Sequence, residues 1–295
     1  MWFKNLVLFR VPAPVALTPE ALGEALVSEA FKPCGGLEPF SQGFEPPLGR
    51  LGSELVHAAN GCTLVCVRRE ERLLPPAVVR EEVEERIARI EDREAREVRS
   101  RERRRMRDEV TFELMPRAFT RSTRTFAYLS HRDGWLVVDA ASEKKAEDLL
   151  VLLGHAVPGF TVEAFQAEHS PAALMTRWLD GERLPRGFSF GDQCELRDPA
   201  SVGTVVRCQR QDLTAAEVRA HLKAGKVAQQ VALVFDDRVS FVLSAELGLR
   251  RLRFEAVDEL DKRDAVDPRA RFDADYAFMT AELSRLLAAL EKVFR

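Results

Sequence analysis

One charged stretch does most to decide the fold, residues 75–116: PPAVVREEVEERIARIEDREAREVRSRERRRMRDEVTFELMP. Its apolar residues recur at spacings of three, four or eight, which is the periodicity of one face of an α-helix. Pro75-Pro76 opens the stretch and Pro116 ends it, so the pattern predicts a single helix of more than 30 residues, roughly 50 Å long at 1.5 Å per residue. Glu94 and Glu102 interrupt the apolar face, so we expect the middle of this helix to project as an arm. The apolar residues are Val79, Val83, Ile87, Ile90, Val98, Met106, Val110 and Leu114.

The same stretch contains a dense basic run. Six arginines lie in the nine residues Arg99–Arg107, although the whole chain has a formal net charge of -3. A concentrated basic zone in an acidic protein attracts polyanions, of which nucleic acids are the commonest inside cells. A helix rich in Glu and Arg is also typical of a solvated surface with ion pairs four residues apart. The run alone does not decide between these two interpretations.

The charge of the remaining chain is segregated by segment. Ten basic and four acidic residues lie between Arg99 and Arg132, and five basic and two acidic between Val205 and Lys226, whereas 255–275 has eight acids against four bases. This segregation favours a protein that holds a phosphate backbone on one surface. The predicted DNA-binding residues are Arg99, Arg101, Arg103, Arg104, Arg105, Arg107, Arg117, Arg121, Arg210, Lys223 and Lys226.

Outside the arm, short strands and helices mix without a regular βαβ repeat, which predicts an α+β fold with mixed or antiparallel sheets. We expect a hairpin around 131–134, a helix at 214–224 capped by Thr214, and a final helix at 272–294. The predicted strands include Leu6–Arg10, Val227–Phe235 and Leu249–Phe254. The predicted division is an N-terminal α+β region at 1–75, the arm and its tip at 76–132, and a C-terminal α+β region at 133–295.

Composition and motifs exclude several classes of protein. The chain is 46% hydrophobic and 31% charged, as in globular proteins, and no apolar run approaches the roughly 18 residues that span a membrane. No secretion signal is recognisable, and the five cysteines are scattered, so we expect reduced thiols and a cytoplasmic protein. Cys62 and Cys66, four apart in a strand-like run, are predicted to be core residues on one face rather than metal ligands.

No enzyme motif is recognisable. The phosphate loop, the dinucleotide fingerprint, the nucleophile elbow and the zinc-protease motif are all missing from the sequence. We therefore expect no catalytic residues, no metal and no cofactor. A Mg²⁺-dependent nuclease would need converging carboxylates, for which the chain offers Asp236-Asp237, read here as a hairpin turn, and a C-terminal acidic group. That group is Asp264, Asp267, Asp273 and Asp275. A metal-dependent DNA-processing enzyme remains the alternative.

Four blocks of sequence resemble a known family. They are MWFKNLVLFR (1–10), REERLLPPAVVREEVEER (69–86), LMPRAFTRSTRTFAYLS (114–130), and CELRD, VVRCQRQDLT, HLKAGKVAQQVAL and RVSFVL in order across 194–243. Together they are similar to the recombination-associated protein RdgC of proteobacteria. The similarity covers nearly the whole chain, and only Gly181–Phe190 and the last thirty residues match poorly.

The resemblance implies a function and an assembly. Members of that family bind DNA without sequence preference, are not known as enzymes, form a ring-shaped homodimer around duplex DNA, and oppose RecA by occupying its DNA. Double-stranded DNA is therefore the expected ligand, with single-stranded DNA as a further candidate, and the expected location is the nucleoid. The resemblance also implies that Phe119, with Gln211 and Arg117, lies where the ring closes.

Two alternatives concern the arm and its tip. Phe119 is an apolar residue in a setting rich in arginine and threonine, which favours an interface; ordinary core packing is the alternative. The arm could instead pair with a second arm as a coiled coil in a protein-interaction module. Glu94 and Glu102 argue against a coiled coil because they fall where its seam needs apolar residues.

Overall fold

The computed structural model describes residues 2–12, 17–201, 203–255 and 267–295. The chain forms two compact units. The first, called here the sheet unit, comprises Met1–Val27, Pro46–Cys66 and Thr125–Arg295; the second, the hairpin unit, comprises Ser28–Glu45 and Val67–Arg124. The division at residues 75 and 132 that the sequence suggested stays a prediction.

The elements alternate irregularly along the chain, as in an α+β fold. The strands are β1 (Leu6–Arg10), β2 (Phe40–Glu45), β3 (Val56–Ala59), β4 (Cys62–Leu73), β5 (Phe119–Ser130), β6 (Trp135–Asp139), β7 (Glu163–Ala164), β8 (Phe188–Arg197), β9 (Val205–Gln209), β10 (Val227–Phe235), β11 (Val239–Ser244) and β12 (Leu249–Phe254). The helices are α1 (Pro19–Leu26), α2 (Pro76–Glu94), α3 (Ser100–Leu114), α4 (Glu143–Ala156), α5 (Pro171–Asp180), α6 (Ala216–Lys223) and α7 (Pro268–Phe294).

The sheet unit is built on one antiparallel sheet. Its strands run in the order β5-β6-β1-β12-β11-β10-β8-β9, and each neighbouring pair is antiparallel. The α+β class with an antiparallel sheet is therefore confirmed. Side chains alternate across such strands, so Val231, Leu233 and Phe235 of β10 enter the core, and α5 and α7 bring Met175, Trp178, Leu283 and Leu287 to the same cluster.

Local signals explain where several elements begin. Ser142 accepts a hydrogen bond from the Lys145 amide and caps α4, as in a typical helix N-terminus. Asp267 caps α7 and Pro268 occupies its first turn, so this helix starts four residues before the predicted 272. Thr214 is not the N-cap of α6: the Asp212 carboxylate accepts from the Thr214 amide, and the helix begins at Ala216. Both Cys62 and Cys66 are buried, as predicted.

The single long helix predicted for 75–116 is wrong. Helix α2 ends at Glu94, Ala95 has a left-handed backbone with φ 48°, and α3 begins at Ser100. The guanidinium of Arg86 donates to Glu113, 27 residues later, at 2.7 Å, so the two helices pack as an antiparallel hairpin.

The apolar periodicity was real but belongs to two helices. One buried cluster joins Val79, Val83 and Ile87 of α2 with Met106 and Val110 of α3. Two helices that face each other through one cluster have the same three-and-four spacing as a single continuous face. The charged residues that interrupted the stripe form the bend, because Arg96 pairs with Glu94 at 2.7 Å and with Glu102 at 2.8 Å.

A charge swap tests the hairpin. Arg86→Glu should lower the free energy of unfolding by about 0.2–1 kcal/mol, because it repels Glu113. Adding Glu113→Arg should restore much of the loss in urea unfolding. The control Arg86→Glu/Glu109→Arg should not, since Glu109 pairs with Arg105 instead. Equal losses in both double variants would contradict the contact, as expected if α2 and α3 formed one continuous helix.

Candidate nucleic-acid interface

The basic run lies at the start of α3, beside the bend of the hairpin. Val98, Met106 and Val110 are buried and fix the inner side of the helix. The other residues of the run therefore face outward, and all six predicted arginines between Arg99 and Arg107 are exposed.

Most of these arginines lack a neutralising partner. Arg105 pairs with Glu109 at 2.9 Å, one helical turn away. Glu102 is taken by Arg96 through two hydrogen bonds of 2.8 and 2.9 Å, which hold the pKa of its carboxyl below the usual range. Within 2–12, 17–201, 203–255 and 267–295, no carboxylate forms an ion pair with Arg101, Arg103, Arg104 or Arg107.

The position of the run on its helix is also unfavourable in the free protein. The N-terminus of a helix carries partial positive charge. A cation placed there therefore destabilises the helix, typically by about 0.3–1 kcal/mol at low ionic strength. Natural helices place Asp or Glu in the first turn, and here Glu102 stands among Arg101, Arg103 and Arg104. An anionic ligand would relieve this repulsion, which makes the N-terminal half of α3 the strongest candidate for polyanion binding in the hairpin unit.

Arg117 and Arg121 lie at the opposite end of α3. The helix has 15 residues, and this length separates its two ends by about 22 Å. Arg117 is exposed in the short 3₁₀ segment that follows the helix. Arg121 is ion-paired with Glu71, so a phosphate would have to compete with that carboxylate. The structure therefore does not bring these two predicted residues together with the arginine run.

Phe119 is the first residue of β5, and its side chain is 85% exposed. The interpretation of Phe119 as a core residue is therefore wrong. Covering so accessible an apolar ring with a second surface would be favourable. Its role in closing a dimer stays a prediction.

Arg72 holds the segment before Phe119 in place. Its guanidinium donates to the carbonyl oxygens of Met115, Pro116 and Ala118 at 3.1, 3.3 and 3.3 Å, and to that of Gly35 at 3.0 Å. The carbonyls of Pro116 and Ala118 follow the end of α3, where the chain leaves the helix and its acceptors need partners from elsewhere. Sequence reasoning missed Arg72, because its acceptors 115–118 lie more than 40 residues away in the chain.

An apolar groove of about 460 Å³ lies in the same unit. Leu74, Val79 and Met115 provide apolar surface, and Arg80 and Arg107 add positive charge. The remaining lining residues are Pro39, Arg72, Pro76 and Thr111, so no carboxylate lines this groove.

The predicted basic residues of the sheet unit are on different sides of it. Arg210 is exposed and borders a groove with Val234 and Val242, which face away from the main core. Lys223 and Lys226 lie at the C-terminal end of α6, which joins the core through Val218. The backbone N–H of Gln211 donates to the backbone carbonyl of Asp192 at 3.1 Å. The basic residues of 205–226 therefore do not form a single patch, because Arg210 lies apart from Lys223 and Lys226.

Three of the acidic residues considered for a nuclease, Asp236, Asp267 and Asp273, make other contacts. Asp236 and Asp237 form the tight turn between β10 and β11, and Asp236 pairs with Arg285. Asp267 caps α7, and Asp273 lies 3.0 Å from the His57 ring. Asp264 lies outside the described residues. In the part of the chain that the structure describes, no group of three His, Cys, Asp or Glu side chains is arranged to hold a metal ion, and no helix is long and apolar enough to cross a membrane.

Comparison with known proteins identifies the relatives of this chain. A family model described as "Putative exonuclease, RdgC" matches residues 1–295. The protein named "Recombination-associated protein RdgC" from Halorhodospira halophila is 45% identical over 296 residues, covering 100% of this chain and 98% of its own. Proteins of the same name are 40% identical in Aeromonas hydrophila, over 98% of this chain and 96% of its own, and 42% identical in Laribacter hongkongensis, over 98% and 97%. The resemblance drawn from the sequence blocks is confirmed.

Removing the guanidinium of Arg72 tests its structural role. Arg72→Met should lower the free energy of unfolding by about 1–3 kcal/mol, because it removes the donor from the carbonyl oxygens of Pro116 and Ala118. Hydrogen exchange of the backbone amides of 115 and 117–119 should become faster. The control Arg89→Met removes an exposed arginine paired with Glu85 and should change neither quantity. Unchanged exchange at 115 and 117–119 in Arg72→Met would contradict the positioning role.

Proposed function

This chain belongs to the RdgC family, and on that premise we propose that it is a non-enzymatic DNA-binding protein that acts in recombination. It holds DNA through the phosphate backbone and does not read the base sequence. The observation that carries the proposal is the exposed arginine run of α3, in which Arg101, Arg103, Arg104 and Arg107 have no carboxylate partner among the described residues. The relatives named above are called recombination-associated, which agrees with a DNA ligand.

The binding energy comes from charge. Each arginine that contacts a phosphate releases condensed counterions from the DNA, which gives affinity for any sequence and a strong dependence on salt. Contacts to phosphates fix the position of a protein on the duplex but carry no sequence information. An exposed arginine-rich helix surface suits this mode.

We propose further that two chains close a ring around duplex DNA and thereby limit the access of RecA. A two-fold dimer uses the same patch on both subunits. Phe119 supplies an exposed apolar ring, and the groove lined by Leu74, Val79 and Met115 supplies an apolar recess in the same unit. Insertion of each Phe119 into the partner's groove would cover both. A closed ring leaves DNA only by opening or by sliding off an end, so occupancy alone keeps RecA away.

An exonuclease is the second candidate, because the matching family model is described by that word. The carboxylates of Asp236, Asp267 and Asp273 are engaged with Arg285, with the start of α7 and with His57, which argues against their convergence on a metal. The discriminating assay incubates the wild-type chain with Mg²⁺ and end-labelled linear duplex, and with closed circular duplex as the substrate without ends. The proposal expects both to stay intact, and shortening of the linear duplex alone would favour the exonuclease.

The arginine run is tested by Arg103→Ala/Arg104→Ala/Arg105→Ala. Affinity for duplexes of unrelated sequence should fall to the same extent, and the slope of log K against log salt should become shallower by about 0.9 for each phosphate that is no longer neutralised. The fold should survive, since all three side chains are exposed. The control Arg89→Ala/Arg93→Ala removes exposed arginines that already pair with Glu85 and Glu94, and should bind as the wild type does. If the triple variant keeps the wild-type affinity, the run does not bind DNA and is only a solvated helix face.

The ring is tested by Phe119→Ser. Covering Phe119 contributes roughly 1.5–3 kcal/mol per copy, so its removal should open one interface while a second interface keeps the dimer together. We expect unchanged thermal stability, a dimeric mass in solution, and much faster release from closed circular DNA. Phe112→Ser serves as the control, because Phe112 is another exposed phenylalanine but lies on α3. If release from circular DNA is the same in both variants and the wild type, Phe119 does not close a ring.

A further inference from the structure

Two cysteines of the sheet unit lie directly opposite each other on neighbouring strands. Cys194 of β8 and Cys208 of β9 are register partners in an antiparallel pair. Their side chains are 4% and 9% exposed, and both belong to the main core cluster. On the opposite face of the same two strands, the Arg207 guanidinium pairs with Glu195 at 2.9 Å and fixes the register. The two thiols therefore face the same side of the sheet at the same level.

The spacing of such a pair suits a disulfide. Directly opposite residues of antiparallel strands have Cα atoms about 4.5–5.5 Å apart, and disulfides join Cα atoms roughly 4.4–6.8 Å apart. Strand β9 ends the strand order of the sheet and follows β8 there. Because β9 is an edge strand with β8 as its neighbour, a small shift of β9 toward β8 brings the two sulfurs to bonding distance.

The other cysteines are placed differently. Cys62 and Cys66 lie four residues apart on β4, a separation of about 13 Å in an extended strand. Strand β4 is also separated from β8 by six strands of the sheet. Cys34 lies in the hairpin unit, and its thiol donates to the Glu38 carbonyl at 2.8 Å. Within the sheet unit, all of whose cysteines are described, Cys194 and Cys208 are thus the pair that a disulfide can bridge.

We propose that Cys194 and Cys208 form a redox site, which hydrogen peroxide or another small peroxide converts from two thiols to a reversible disulfide. The bond holds the edge strand β9 to β8 immediately before Arg210 and Gln211. This modification is separate from the proposed DNA binding and does not depend on it.

The conversion takes place in two steps. The Cys208 thiolate attacks one peroxide oxygen and the O–O bond breaks, which leaves a sulfenic acid on Cys208 and a hydroxide that takes up the thiol proton as water. The Cys194 sulfur then attacks the Cys208 sulfur. The S–O bond breaks, and its OH group leaves with the Cys194 proton as a second water. The two sulfurs together lose two electrons, and the peroxide gains them.

The surroundings assign the first step to Cys208. It lies on the edge strand and is the more exposed of the two cysteines. Burial, together with the nearby Cys208 thiol, raises the pKa of Cys194, so that residue stays protonated until the second step. Burial also slows the reaction with peroxide. The second thiol is already in position, however, so the sulfenic acid is captured before it is oxidised further.

The test treats the full chain with hydrogen peroxide, removes the oxidant with catalase, and blocks the remaining thiols with iodoacetamide in denaturant. Of the five thiols, the two of this site should escape blocking, and dithiothreitol should restore them. Trypsin cuts after arginine, so the two cysteines fall in separate peptides, 187–197 and 208–210. Mass spectrometry without reductant should find these two peptides linked, with the loss of two hydrogen atoms.

Matched variants show which thiols react. Cys194→Ala and Cys208→Ala should each abolish the linked peptides. The control Cys34→Ala, at a half-buried cysteine of the hairpin unit, should leave them unchanged. The mapping of the wild-type chain decides the question even where an alanine variant folds poorly. If 187–197 and 208–210 stay unlinked after peroxide treatment, or if either is linked to a peptide with another cysteine instead, the proposal is wrong.

Discussion

The half of the sheet formed by β12, β11, β10 and β8 depends on one constraint: the face that α5 and α7 cover carries its apolar core. Val231, Leu233 and Phe235 lie on that face with Met175 and Leu287. Burial of apolar area at roughly 25 cal/mol per Å² is the main stabilising contribution of such a layer. The opposite face must then satisfy its own polar groups at the surface. There the chain carries arginine and glutamine, and Arg197 and Arg207 hold the carboxylate of Glu195, lowering its pKa.

The hairpin unit is also held together by buried apolar residues. Its two helices are charged on most sides, and one narrow apolar cluster of Val83, Ile87 and Met106 with their neighbours joins them. Carboxylates and arginines inside the unit neutralise each other wherever the structure needs support: Arg86 with Glu113, and Arg96 with Glu102. The outward half of the arginine run is left out of this pairing. The arginines of the run that form no ion pair among the described residues are the ones available to an anionic ligand.

The sequence predicted the strands more accurately than the places where a helix bends or a strand bulges. Strands β1, β10 and β12 were predicted with their bounds, because apolar alternation and turn residues are local signals. The bend at Ala95 was missed, because two facing helices keep the spacing of one. Arg72 could not be found, since its acceptors are distant in the chain. The bulge in β12, where the pairing with β11 shifts register, is visible in the sequence, because Arg250-Arg251 breaks the apolar alternation between Leu249 and Leu252. Two consecutive polar residues inside a strand indicate that one of the two side chains has changed face.

Two surfaces of the chain place arginine where the backbone disfavours it. At the start of α3, the helix dipole opposes Arg101 and the neighbouring arginines repel one another; on the open face of the sheet, Arg210 and Arg251 occupy left-handed positions. Contacts within the described chain do not offset these costs, because ion pairs are made elsewhere. Selection for stability alone would favour acidic residues at the first position and glycine or asparagine at the second. Arginine at both is explained if the chain is shaped to hold a polyanion whose charge is supplied only on binding.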